Sequence, residues 1–100
     1  MPGLNPASVR TLVGLPMFNE EETVASVVVR CLEHVNDVLC VDDGSSDASS
    51  RLAARAGAIV HHHRANRGYG AAIRTIFRIA REMDVDHLVI LDSDGQPEPE

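Results

Sequence analysis

The sequence contains no lysine: all nine of its basic residues are arginine. Every mechanism that requires a lysine side chain is therefore excluded. No stretch approaches the ~20 consecutive apolar residues of a membrane-spanning helix, so no membrane span is expected in this chain. The first ten residues carry no apolar segment of the kind that marks a secretory signal, and residues 1–10 read as a flexible, polar N-terminal tail. Cysteine is scarce. Cys31 and Cys40 are the two present, and they do not form a C-x-x-C pair. They read as buried, inert thiols in a reducing compartment, which places the protein in the cytoplasm, or at the cytoplasmic face of a membrane in a longer form. Excess positive charge is missing as well. A net charge of −6 provides no basic surface for nucleic acid or anionic lipid. What is present is the 44% hydrophobic content of a globular protein, in a 100-residue chain that suits one small domain with a modest core.

The hydrophobic pattern alternates between strand and helix. Thr11-Leu12-Val13-Gly14-Leu15 reads as a first strand stopped by Pro16, which cannot donate to a ladder. Asn19 is placed to cap a helix, with Glu22 three residues on as in a capping box and Glu20 to Glu22 in the first turn. Val24, Val27, Val28, Cys31, Leu32 and Val35 then form one helical face, ended by Asn36-Asp37. Val38 to Val41 is a second buried strand, followed by a helix over 48–56 that turns Leu52, Ala53 and Ala56 inward and stops at Gly57. Ala58 to His61 makes a short third strand. After Asn66-Arg67-Gly68-Tyr69-Gly70 comes a third helix with the stripe Ala72, Ile73, Ile76, Phe77, Ala80 and Met83, and with an i,i+4 pair of Arg78 and Glu82. Leu88-Val89-Ile90-Leu91 is a fourth strand, read as buried on both faces.

This β-α-β-α-β-α-β order, with short connections, forces parallel strands and right-handed crossovers. The expected fold is α/β, a three-layer Rossmann-like domain with strand order 3-2-1-4. Its ligand crevice lies outside the carboxyl ends of strands one and four. Three polar clusters land on that rim: Pro16 to Glu20, Asp42 to Ser45, and Asp92 to Gln96. Strand alternation lets Asp92 and Asp94 converge if the extension holds through Ser93. Two such carboxylates repel unless neutralised, and Mg²⁺ or Mn²⁺ is the natural partner because it takes oxygen ligands and bridges to phosphates. A polar strand end entering a Gly turn is the competing reading of the same residues. Asp42-Asp43-Gly44-Ser45 likewise reads either as a binding loop or as an Asx-type turn. His61-His62-His63 alternates sides along an extended chain, which favours a strand end over a metal site, and His34 and His87 read as surface or boundary residues.

Four stretches in order carry a resemblance: Pro16-Met17-Phe18-Asn19-Glu20-Glu21, Val41-Asp42-Asp43-Gly44-Ser45-Ser46-Asp47, Asn66-Arg67-Gly68-Tyr69-Gly70-Ala71-Ala72 and Leu91-Asp92-Ser93-Asp94-Gly95-Gln96. From Leu12 onward the chain resembles the N-terminal, donor-binding half of a family 2 glycosyltransferase of GT-A fold, most like the dolichol- or polyprenyl-phosphate sugar synthases. The resemblance implies a nucleotide-sugar donor, a metal (Mg²⁺ or Mn²⁺) and an acceptor such as a lipid phosphate. It implies that Pro16, Phe18 and Glu20 line the nucleotide pocket with the Phe18 ring near the base. Asp43 or Asp42 would accept a hydrogen bond from the base, only one of them facing the pocket, with Gly44 in the same loop. Asn66 and Gly68 would shape the wall, Asp92 and Ser93 would touch the donor, and Asp92, Asp94 and Gln96 would gather the metal. The family's general base has no matching carboxylate here, which implies a truncated or non-catalytic nucleotide-sugar-binding piece spanning 11–100. Its fourth strand would lie at a sheet edge, which carries a risk of aggregation or of pairing into a homodimer.

Rival folds fit less well. A haloacid-dehalogenase-type phosphatase opens, rather than closes, on its D-x-D-G strand. A response-regulator receiver relies on a lysine, and Gly68-x-Gly70 lacks the third glycine of a dinucleotide fingerprint, with Ile73 in its place.

Overall fold

The computed structural model describes residues 9–92. Seven elements follow in order: β1 (Thr11–Met17), α1 (Val24–Leu32), β2 (Asp37–Asp42), α2 (Ser49–Ala56), β3 (Ile59–His62), α3 (Tyr69–Met83) and β4 (His87–Ile90). The strands pair in parallel in the order β3-β2-β1-β4, as the crossover argument requires. Strand alternation splits the core in two. Val13, Leu15, Met17, Val38 and Cys40 face α1 and α2, which contribute Val24, Val27, Val28 and Ala53. Leu12, Leu39 and Val41 face α3, which contributes Ala72, Ile76 and Ala80. Helices therefore cover both sides of the sheet. None of the helices in the described residues is long and apolar enough to cross a membrane.

Gly14 brings α3 close to the sheet. It lies on the α3 side of β1, where an added Cβ would meet Ile76 Cγ2 at 2.5 Å. The absent side chain is the space that the fully buried Ile76 occupies.

The structure departs from the sequence pattern at five places. Pro16 does not stop β1: the strand continues to Met17, in register with Asp42. The β4 ladder ends at Gly14, whose carbonyl accepts the Leu91 amide, so the missing N–H of Pro16 falls where no described partner needs it. Asn19 does not cap α1, which starts at Val24 with no acidic residue in its first turn and no side-chain hydrogen bond at its cap. Asn19 instead adopts φ 52°, and its side-chain oxygen accepts the Ser46 amide at 2.9 Å. Phe77 lies outside the α3 stripe and is half exposed, because Ile79 packs inward with Ile73 and Met83. β4 is buried on one face: Leu88 and Ile90 pack towards α3, whereas Val89 and Leu91 are 42% and 43% exposed. Finally, Arg10 is no frayed tail residue. Its guanidinium holds Asp37 at 3.0 Å and its amide donates to Asp86 at 2.7 Å.

Candidate functional site

The carboxyl ends of β1, β2 and β4 meet the loop before α3 around a cavity of about 450 Å³. β1 and its following loop supply Pro16, Met17, Phe18 and Glu20, and β2 is followed by Asp43. Asn66, Gly68 and Tyr69 close the side towards α3, and Asp92 stands just beyond β4. A hollow of about 630 Å³ between α1 and β4 is larger. Its walls carry Val13, Val27, Val35, Val89 and Leu91, with Arg30, Glu33, His34 and Asp92 also bordering it, whereas the smaller cavity gathers three carboxylates, Asp92 shared between the two, and two exposed aromatic rings. Convergent polar groups, rather than size, mark a site that orients a ligand.

Alternation at the end of β2 separates the two neighbouring aspartates. Asp42 turns to the α2 side, where it accepts the Ser45 amide at 2.9 Å and the Ser50 hydroxyl, with His62 at 3.5 Å. Asp43 turns to the α3 side and lines the cavity. Its Oδ1 accepts the Arg67 amide at 2.9 Å and His63 Nδ1 at 2.8 Å, and its Oδ2 accepts the Gly68 amide at 2.8 Å. Burial opposes the charge on Asp43, but the bonds from His63, Arg67 and Gly68 outweigh it and hold the carboxyl below its ordinary value. Asp42 is likewise opposed by burial and lowered on balance by Ser45, Ser50 and His62. Both are therefore anionic at neutral pH.

The rim loops are fastened to each other through the backbone. Met17 C=O accepts the Asp43 amide at 2.9 Å, and Asp42 C=O accepts the His63 amide at 2.8 Å. Gly44, at φ 84°, packs so closely on the next loop that a Cβ would sit 2.8 Å from the Asn66 nitrogen. It shapes the cavity from behind and is not among its lining residues. Gly68 has open space where a Cβ would go; what it supplies is φ 100° at the residue preceding α3. On the other side, the Glu20 amide donates to the buried Ser49 hydroxyl at 2.7 Å, fixing the post-β1 loop against the start of α2.

Of the residues singled out in the sequence, Pro16, Phe18, Glu20, Asp43, Asn66, Gly68 and Asp92 line one cavity, and Asp42 and Gly44 support it. Ser93, Asp94 and Gln96 lie outside the described residues. Asp92 is thus the one expected metal ligand that can be placed, and the described residues hold no group of three His, Cys, Asp or Glu able to bind an ion. The three consecutive histidines alternate: His62 approaches Asp42 and Ser50, while His63 is buried between Asp43 and Thr75 with the His61 ring edge-on to it. The sequence reading weighed His63 only within a run of three histidines, as a strand end against a metal site, and did not mark Thr75. A polar residue, Thr75, within the apolar stripe beside Ile76 was the signal that a buried partner existed.

Residues 12–100 match the model of the family "Glycosyl transferase family 2". The chain belongs to this family. Among curated family 2 relatives, the undecaprenyl-phosphate mannosyltransferase of Micrococcus luteus is 36% identical over 98 residues, which cover 91% of this chain and 40% of that protein. Glucosyl-3-phosphoglycerate synthase of Mycobacterium tuberculosis, solved with Mn²⁺, UDP-glucose and phosphoglyceric acid, superposes with a TM-score of 0.70 at 28% identity. That match covers 87% of this chain and 34% of the synthase. Mannosyl-3-phosphoglycerate synthase of Rubrobacter xylanophilus has the same fold, with a TM-score of 0.76 at 22% identity over 93% of this chain and 33% of its own. The chain therefore spans well under half the length of these proteins. Its parallel sheet with helices on both faces is the Rossmann-like GT-A arrangement in partial form, and family 2 membership sets aside the phosphatase and receiver alternatives.

Proposed function

We propose that this chain is the donor-binding part of a glycosyltransferase that takes a sugar from a nucleotide-sugar and passes it to a polyprenyl-phosphate-type acceptor. The observation that carries this reading is the fixed, anionic Asp43 on a cavity wall that also holds the half-exposed Phe18 ring and Asp92. A carboxylate held by three donors is already oriented to accept an N–H from a nucleobase, and an exposed aromatic ring offers that base a stacking face. The name of the Micrococcus luteus relative supports the polyprenyl-phosphate acceptor, and the M. tuberculosis synthase crystallised with Mn²⁺ and UDP-glucose supports the donor and metal.

Asp92 would hold a divalent cation, joined by Asp94 and Gln96 on the family resemblance. When bound, such an ion neutralises the charge that develops on the departing nucleoside diphosphate. The chain's own contribution is to bind and orient: Asp43 and Phe18 place the base, Gly68 and Asn66 form the wall beside it, and Glu20 borders the opening. No residue of this chain is assigned to accept a proton from the acceptor.

The test is calorimetric titration of nucleoside diphosphates into the intact protein, with Mn²⁺ and with chelator. Binding should strengthen with Mn²⁺, and Asp92→Asn should remove most of that gain while Asp43→Ala weakens binding in both conditions. Equal affinity with and without metal would remove Asp92 from a metal role. Absence of any nucleotide binding would refute the donor-site reading.

A further inference from the structure

His63 is a buried titratable side chain, 7% exposed, that the donor-site reading leaves without a task. Its two ring nitrogens are both engaged, Nδ1 2.8 Å from Asp43 Oδ1 and Nε2 2.9 Å from Thr75 Oγ1, and the His61 ring stands edge-on to it at 5.9 Å between centroids. An ionised carboxylate is an acceptor, so Nδ1 carries the proton it shares with Asp43, and in the neutral ring Nε2 accepts the Thr75 hydroxyl. Thr75 is itself buried on α3, one turn before Ile79 and beside Ile76, which fills the space over Gly14. The aim of Asp43 is thereby anchored to the stretch of α3 that seats Ile76 over Gly14.

A carboxylate offers about four acceptor positions. His63 and the Arg67 amide use both on Oδ1, and the Gly68 amide uses one on Oδ2. Among the described residues, one position on Oδ2 is left for a ligand. Guanine presents two parallel N–H donors on its pairing edge and would need both oxygens; uracil presents a single imide N–H and needs one. We propose that His63, backed by Thr75, is a positioning residue that keeps Asp43 a single-acceptor reader of the donor's base, suited to uracil and not to guanine. This inference rests on the reading of the cavity as a nucleotide-sugar site.

The experiment compares UDP, GDP and inorganic pyrophosphate, each with Mn²⁺, by calorimetry on the intact wild-type protein and on His63→Leu, His63→Asn and Thr75→Val. Wild type should bind UDP on the order of tenfold more tightly than GDP, the worth of one hydrogen bond to a charged group. His63→Leu should weaken UDP by a similar factor and leave pyrophosphate unchanged, because pyrophosphate never meets Asp43. His63→Asn, which keeps an N–H for Asp43, should restore UDP affinity. Thr75→Val should lower UDP affinity alone, and it provides a second reading if His63→Leu fails to fold. GDP binding as tightly as UDP would overturn the single-acceptor assignment. Parallel loss of UDP and pyrophosphate in the variants would overturn the positioning role and leave His63 as a packing residue. If wild type binds pyrophosphate and UDP equally, the base is not read and the proposal falls while the metal–diphosphate site stands; if it binds neither, the donor-site reading falls with it.

Discussion

Replacing Gly14 by alanine changes one hydrogen into a methyl group at the centre of the sheet, and the structure gives the size of the effect. The new Cβ would lie 2.5 Å from Ile76 Cγ2, 3.2 Å from its Cδ1 and 3.3 Å from its Cγ1. Carbon atoms prefer about 3.5–4.0 Å, so the ring of contacts must open by roughly 1 Å. Ile76 cannot swing into solvent, because it is fully buried between strand and helix. Overpacking of this kind costs about 1–3 kcal/mol. In a domain of this size each kcal/mol moves Tm by about 4–8 °C, so Gly14→Ala should lower Tm by about 8–16 °C for a mid-range cost. The decisive measurement is a double-mutant cycle with Ile76→Ala, read by urea denaturation at constant m-value. Ile76→Ala alone should cost about 2–5 kcal/mol through its cavity. In that background the methyl of Gly14→Ala enters vacated space at a residue whose φ is not in the left-handed region. It should then stabilise by about 0.4–1 kcal/mol through the unfolded chain. A reversal of sign between the two backgrounds is the prediction. A neutral Gly14→Ala in wild type, or an equal cost in both, would refute the account of how α3 seats on the sheet.

Gly44→Ala combines a left-handed φ with a backbone collision at Asn66, and should cost at least about 2 kcal/mol, with nucleotide affinity falling alongside the urea midpoint. Asp42, Asp43 and Asp47 all have lowered folded-state values, each opposed by burial but outweighed by hydrogen bonds. Their stabilisation is complete above the unfolded value near pH 4 and lost as pH falls through the folded values, so urea midpoints should drop steeply on the acid side; a flat acid limb would contradict the rim network. Cys40, buried and beside Cys31 and Asp42, has its thiol pushed up to about 12. Its contribution is full below the unfolded value of about 8.5 and is lost as pH rises through the folded one, and the native protein should leave Cys40 unlabelled by a thiol reagent at pH about 8, where unfolded chains react readily. Arg78 and Glu82, 3.3 Å apart on an exposed face, should contribute little: Glu82→Gln should change stability by under about 0.5 kcal/mol.

Element order and strand order were legible because period-2 and period-3.6 patterns alternate cleanly and short crossovers leave few topologies. That Asp42 and Asp43 part company was legible too, since a strand cannot aim neighbours at one face. What could not be read locally depended on tertiary partners. Asn19-x-x-Glu22 has the spacing of a capping box, yet Ser46 competes for the same side-chain oxygen and wins. Phe77 and Ile79 are both apolar near the edge of the stripe, and the packing of the sheet, not the period, selects Ile79. The exposure of Val89 and Leu91 follows from which helices the described residues bring over β4, which no single strand encodes. His63 was hidden inside a run of three histidines, where the pattern asks only about metals; its partner Asp43 is twenty residues away.

The chain of bonds from Met17 C=O to the Asp43 amide, from Asp42 C=O to the His63 amide, and from Asp43 to the Arg67 and Gly68 amides joins three loops in series. Loops bonded in this way do not open one at a time. Breaking any link exposes the next, so the amides of Asp43, His63, Arg67 and Gly68 should exchange their hydrogens as one cooperative unit with a shared opening free energy. A ligand that bonds only to Asp43 would then slow exchange as far away as the start of α3, and this wall of the cavity would behave as a single moving part.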